Sequence, residues 1–186
     1  KEKLKEMNQR LSVLGVQFSQ NVLAETNDFV LEISKEEDLA GLPESVINSA
    51  AEAASQKGLE GKWVFTTQKP SMLPFLTYSE NENLRKKLYD AYINRGNNGN
   101  DNDNKEIMSE MMELRADRAQ LLGYETHSHL VLEPRMAGEP DNVYDLLNTL
   151  WKYALPAAKA ELAEMQKIAD QDGVDIKPSD WWYYAE

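Results

Sequence analysis

Apolar residues recur at Leu4, Met7, Leu11, Leu14, Phe18 and Val22, in steps of three and four. That spacing follows the 3.6-residue period and predicts one amphipathic helix running to about Thr26. Asp28 to Ile33 tolerates an extended conformation. Ser34-Lys35-Glu36-Glu37 then has the spacing of a capping box, so a short helix is expected, ended by Gly41. Pro43, an alanine-rich run and Gly58 predict a helix over 43–57 with the proline at its first position. Trp63 to Thr67, between Gly61 and Pro70, concentrates aromatic and β-branched side chains. It predicts one strand, or half of a hairpin, near residues 62–67.

In the second half, Ser79-Glu80-Asn81-Glu82 is another capping-box spacing, and Leu84, Leu88, Tyr89 and Tyr92 form the predicted buried face of the helix it opens. That helix should end near Arg95-Gly96. Residues 97–104 are dense in Asn, Asp and Gly and read as an exposed loop, with Asp103 and Glu106 capping the next helix. Ile107, Met111, Leu114, Arg118 and Leu121 run through it toward a stop at Gly123. Pro140 opens the last long helix, whose apolar positions include Val143, Leu147, Leu150, Trp151, Leu155, Leu162 and Met165. Pro156 inside it predicts a kink or break near Leu155. The fold class is mostly α, with no internal repeat and no linker, so residues 1–186 are expected to form a single helical segment.

The ends change this picture. The first helix has no Met start and no Ser, Thr, Asp or Asn cap ahead of it, so the chain is expected to enter mid-helix. Trp181, Trp182, Tyr183 and Tyr184 stand just before the last two residues, and rings of that size need packing partners. Those partners are expected outside this stretch of sequence. A piece cut from a larger protein would also expose apolar faces and be prone to self-association.

Charge excludes some classes of partner. The formal net charge is -12, from 32 acidic and 20 basic residues, which argues against nucleic acid because that affinity rests on Lys and Arg neutralising phosphates. No apolar run approaches the roughly 18 residues that cross a bilayer, so no membrane role is expected. With no cysteine, disulfides, thiolate metal sites and a cysteine nucleophile are excluded. Cytoplasm and periplasm are both left open.

Candidate chemistry is sparse. The two histidines, His127 and His129, are one residue apart. On a strand both rings would share a face, but a zinc site needs a third ligand and supporting partners, and a structural role near the turn after Gly123 is preferred. Asp101 to Glu106 resembles a calcium loop only until Lys105 occupies a ligand position, and it reads better as a capped surface loop. Glu36, Glu37 and Asp38 belong to solvated faces, and none is assigned as a general acid or base. Tyr78, Tyr89, Tyr92, Tyr183 and Tyr184 could meet a substrate carbonyl, but tyrosine at helical spacing is more often core. No catalytic or metal-binding residue is assigned in this chain, and its substrate-binding residues are unknown.

Several collinear stretches carry a resemblance. Phe18-Ser19-Gln20-Asn21-Val22-Leu23, Gly41-Leu42-Pro43, and Pro70-Ser71-Met72-Leu73-Pro74-Phe75-Leu76 come first. Arg95-Gly96-Asn97-Asn98-Gly99 through Asp103-Asn104, then Leu114-Arg115-Ala116 with Leu121-Leu122-Gly123-Tyr124, and finally Trp182-Tyr183-Tyr184 follow. Together they resemble the thimet-oligopeptidase-like zinc metallopeptidases, and within them the bacterial peptidyl-dipeptidases.

The resemblance implies a parent enzyme with two largely helical lobes around a channel, in which zinc serves the release of dipeptides from the C-terminus of short peptides. The zinc centre of that family is a His-Glu-x-x-His helix, which does not occur in residues 1–186. The chain is therefore expected to be a scaffold and channel wall N-terminal to the catalytic part, inactive and without zinc when alone, with the remainder of the parent chain as its partner. The alternative is a self-sufficient, non-enzymatic helical module that binds a protein through its apolar faces.

Overall fold

The structure, a computed structural model, describes residues 1–185. In chain order it contains α1 (Glu2–Asp28), β1 (Leu31–Ile33), a 3-10 turn (Glu36–Leu39), α2 (Glu44–Gln56), β2 (Trp63–Phe65), α3 (Lys69–Tyr78), α4 (Glu82–Ile93), α5 (Lys105–Leu121), α6 (His127–Leu132), α7 (Pro140–Asp172), a second 3-10 turn (Pro178–Asp180) and α8 (Trp181–Ala185). The predicted mostly-α class and the strand near 62–67 are both observed. β2 pairs antiparallel with β1, Glu32 opposite Val64, and α2 lies between them in sequence. Among the described residues no helix is long and apolar enough to cross a membrane.

The chain forms two compact units. The first comprises residues 1–20 and 103–162, and the second residues 21–102 together with those from 163 onward. In the first, Met7 and Leu14 of α1 and Ile107 and Ala119 of α5 are buried. Asn104 Nδ2 donates to Phe18 O at 3.1 Å, Arg10 forms a bidentate pair with Glu110 at 2.5 and 2.6 Å, and Arg118 donates to Asn8 at 3.0 Å. These partners descend α1 as they ascend α5, so the two helices run antiparallel.

The second unit holds the larger core, made of Leu31, Ile33, Leu39, Leu42, Ala50, Phe65, Met72, Phe75, Leu76 and Leu88. Gly41-Leu42-Pro43 is a knot at its edge. Gly41 has φ +83°, a conformation that only glycine adopts cheaply, and a Cβ there would stand 2.2 Å from Tyr78 O. Leu42 enters the core and Pro43 sits at the cap position of α2, one residue before the helix rather than at its first position.

Both predicted capping boxes are corrected. Ser34 Oγ turns back to Glu32, and Glu36–Leu39 is a 3-10 turn with no side-chain cap. At α4 the cap is Asn81, whose side chain accepts from Leu84 N at 3.1 Å, while Ser79 is buried. α5 has Asn104 at its cap position with no side-chain cap hydrogen bond to the helix, and Asp103 Oδ1 accepts from Lys105 N at 2.9 Å.

α3 has no counterpart in the periodicity because Pro70 and Pro74 interrupt it. Pro70 falls in the first turn, where a missing N–H is free, and Pro74 removes one bond just beyond. Burial of Met72, Phe75 and Leu76 offsets that loss.

Of the kink or break expected near Leu155, no break occurs: α7 is one helix of 33 residues with Pro156 inside it. Its predicted apolar face is not the core: only Met165 and Ala169 are buried, while Leu147, Leu150 and Trp151 are more than half exposed.

The aromatic tail is a further correction, since three of its four rings pack within the chain. Trp182 lies against the main core with its ring 6.1 Å from Tyr89, Tyr183 covers Arg85 at 4.3 Å, and Tyr184 is buried with Met165 and Ala169. Only Trp181 is exposed among them. The short α8 doubles back on α3, which supplies what the sequence order did not suggest.

Candidate functional site

A groove of about 510 Å³ lies in the second unit. One wall is the α2 face bearing Ser45, Ser49 and Ala53, spaced by four so that they stack along one side. Their small side chains leave the space open. Val64, Phe65 and Thr66 form the opposing surface, and Ser71 closes one end. Ser49 Oγ donates to Ser45 O at 2.9 Å and Ser71 Oγ accepts from Thr66 N at 3.0 Å, so both hydroxyls are spent on backbone. Lys57 is the one titratable side chain lining the groove among the described residues. Such a surface can hold an extended chain, but it has no group placed to move a proton at neutral pH.

The histidines do not converge. They lie on a helix rather than a strand, capped by Thr126, and two residues of helix turn their side chains about 200° apart. His127 Nδ1 is buried without a hydrogen-bond partner, and burial, followed by the charges of Arg115 and Arg118, holds its pKa below the ordinary 6.5. A site that disfavours a proton there disfavours a metal cation too. His129 Nδ1 lies 2.8 Å from Thr126 Oγ1, and its Nε2 is 3.9 and 4.0 Å from carboxylates of Glu139 and Glu125. Among the described residues no group of three or more His, Asp or Glu is arranged to hold a metal ion.

The Asn/Asp loop is organised from α1. Glu25, buried near the end of that helix, accepts from Gly96 N at 2.5 Å, Asn98 Nδ2 at 2.8 Å and Asn100 Nδ2 at 2.7 Å. Asp103 pairs with Lys105 at 2.6 Å. Asn98, Asn100 and Asp103 of the loop are therefore engaged with protein. Of the tyrosines weighed as carbonyl partners, Tyr89, Tyr92 and Tyr183 pack on or beside the core, Tyr184 donates to Asp172 at 3.2 Å, and Tyr78 is exposed.

The most consequential polar residues were not singled out by sequence. Arg85 and Asp180 are fully buried and paired, with Arg85 Nη1 also donating to Ser79 O at 2.7 Å. The signal was present: Arg85 stands on the stripe that contains Leu88, Tyr89 and Tyr92, where a charge needs a buried partner.

Residues 75–186, more than half of the chain, match the model of peptidase family M3. The chain belongs to peptidase family M3. Over 183 residues, 95% of this M3 chain, it is 41% identical to oligopeptidase A of Haemophilus influenzae, and over 187 residues it is 40% identical to oligopeptidase A of Escherichia coli. It is 33% identical to dipeptidyl carboxypeptidase of Escherichia coli over 188 residues, 100% of the chain. The expected peptidyl-dipeptidase branch is thus the more distant of these likenesses. The M3 chain spans 27% of each oligopeptidase A and 28% of the dipeptidyl carboxypeptidase, little more than a quarter of their length.

Proposed function

We propose that this M3 chain is the non-catalytic helical part of a zinc-dependent peptidase that hydrolyses short peptides, and that it acts as scaffold and peptide-facing wall. The observation that carries the reading is family membership in a chain whose 186 residues contain no His-Glu-x-x-His. The chemistry makes the absence meaningful. Two histidines one helical turn apart bind zinc, and the glutamate beside the first accepts a proton from the water that attacks the peptide carbonyl. Here the two histidines diverge and one is enclosed by arginine charge. The groove beneath α2, roomy and with Lys57 as its one titratable side chain among the described residues, suits contact with a peptide more than its cleavage. A free-standing interaction module is disfavoured by the family match.

On specificity, release of dipeptides from a free C-terminus is the narrower reading and cleavage within oligopeptides the broader. The identities of 40–41% to proteins named oligopeptidase A, against 33% to one named dipeptidyl carboxypeptidase, favour the broader. The test uses the whole open reading frame containing this chain, with a blocked peptide ending in a carboxylate and the same peptide ending in an amide. Cleavage of both supports the oligopeptidase reading. Cleavage of the acid alone, with dipeptide as product, supports the peptidyl-dipeptidase one, and no zinc-dependent cleavage of either contradicts the proposal.

A further inference from the structure

A second concavity, of about 340 Å³ in the first unit, has an unusual lining for so acidic a chain. Leu4, Leu122, Leu130 and Val131 form apolar walls, and two guanidinium groups, Arg118 and Arg135, stand at its edge. Leu122 and Val131 are 43% and 39% exposed, so the apolar surface is open to an incoming group.

The arginines are short of partners. Arg118 Nη1 donates to Asn8 at 3.0 Å and its Nε is buried without any hydrogen-bond partner. Among the described residues Arg135 makes no ion pair. Neighbouring Arg115 makes none either, and among the described residues no carboxylate lies within 4.0 Å of any of the three. In a chain of net charge -12 carboxylates are abundant, yet none is set against these arginines among the described residues. At His127 burial, and after it the charges of Arg115 and Arg118, hold the pKa below 6.5. Arg118 and Arg135 line the same pocket and set positive charge beside its aliphatic surface.

Guanidinium groups recognise planar carboxylates through paired N–H donors, and an aliphatic pocket recognises a branched side chain by burial. The volume lies at the small end of ligand pockets and matches one or two residues rather than a long chain. We propose that this pocket binds a carboxylate joined to a branched aliphatic group, the chemistry of a peptide C-terminus ending in Leu, Ile or Val. The carboxylate meets Arg135 and Arg118, and the side chain lies among Leu122, Leu130 and Val131. This inference stands apart from the peptidase reading, since a chain with no hydrolytic activity would still show it.

The test is a titration of the isotope-labelled 186-residue chain followed by amide shifts. The probes are N-acetyl-Ala-Leu as the free acid, the same dipeptide as its C-terminal amide, and 4-methylpentanoate. The free acid should give saturable shifts centred on Leu122, Leu130 and Val131, with the amide about tenfold weaker or more. Arg135→Gln, at an exposed residue without a partner, should weaken the acid by a similar factor and leave the melting temperature unchanged, while Arg135→Lys should recover part of the loss. Tighter binding of the dipeptide than of 4-methylpentanoate assigns the site to peptide C-termini, and equal binding assigns it to small branched acids generally. Equal affinity for acid and amide, shifts that fail to saturate by about 10 mM, or an Arg135→Gln chain that binds as well as the original would overturn the proposal.

Discussion

Arg85 of α4 and Asp180 of the turn before α8 are 95 positions apart and form a buried ion pair, with Nη2 2.7 Å and Nε 3.2 Å from the same carboxylate oxygen. The other carboxylate oxygen accepts from Lys177 N at 3.1 Å, and the Tyr183 ring lies over the guanidinium at 4.3 Å. Almost every polar atom of the pair is answered, which is what allows two charges to leave water. The pair fastens the aromatic tail to the helical core. Removing either partner strands the other, so Arg85→Met or Asp180→Leu should each destabilise the chain by about 3–5 kcal/mol in urea unfolding. The double substitution should cost less than the sum of the two. Additive losses would mean that the pair is not coupled.

Gly41 makes a second specific demand. An alanine there meets both a positive φ and the Tyr78 carbonyl at 2.2 Å, whereas at Gly58, φ +72°, nothing lies within 4 Å of an added Cβ. Gly58→Ala should cost about 1–2 kcal/mol, from backbone strain alone. Gly41→Ala should cost clearly more, about 2–4 kcal/mol or loss of folding, because backbone must move. Similar thermal shifts for the two variants would refute the close approach.

Two titrations report on burial. Tyr184, desolvated and donating to Asp172, has its pKa pushed up to about 12 from 10.0. The folded phenol holds its proton more tightly than the unfolded one. The stability it contributes is therefore full below pH 10 and lost as pH rises through about 12. Ultraviolet titration should show a phenol titrating near pH 12 that Tyr184→Phe removes. His127 is held below 6.5, so the unfolded chain takes up its proton first, and the stability this gives is present above pH 6.5 and lost as pH falls through the folded value. An imidazole proton resonance titrating at or above 6.5 for His127 would contradict its enclosure.

Glu25 supports the loop at 96–100 through three hydrogen bonds to its carboxylate. Glu25→Ala should raise amide exchange across residues 96–100 by tenfold or more, roughly 1.4 kcal/mol of local opening, while leaving β2 protected. Unchanged exchange in the loop would show that it holds itself.

Helices with a clear stripe were legible in the sequence: α1, α2, α4 and the start of α7 at Pro140 all follow from period and punctuation. What was not legible had a tertiary cause. α3 hides behind two prolines, and only the burial of Phe75 and Leu76 explains why it forms. Asn81 caps α4 in place of the buried Ser79, and Ser34 turns to Glu32 ahead of a 3-10 turn. Arg85 and Glu25 both lie on apolar stripes, where the pattern flags a buried charge without naming its partner 70 to 95 residues away. The apolar face of α7 follows from its period, but periodicity reports a face and not what covers it. Tyr144, Leu147, Leu150 and Trp151 are all more than half exposed, so the chain alone should self-associate as its concentration rises in sedimentation. A monomer at every concentration would count against that.

The most direct test of the account is zinc content and peptide hydrolysis measured side by side on the 186-residue chain and on the product of the whole open reading frame that contains it. A scaffold role predicts that the longer protein binds zinc stoichiometrically and cleaves a blocked short peptide, and that this chain does neither. Stoichiometric zinc with turnover by residues 1–186 alone would contradict it.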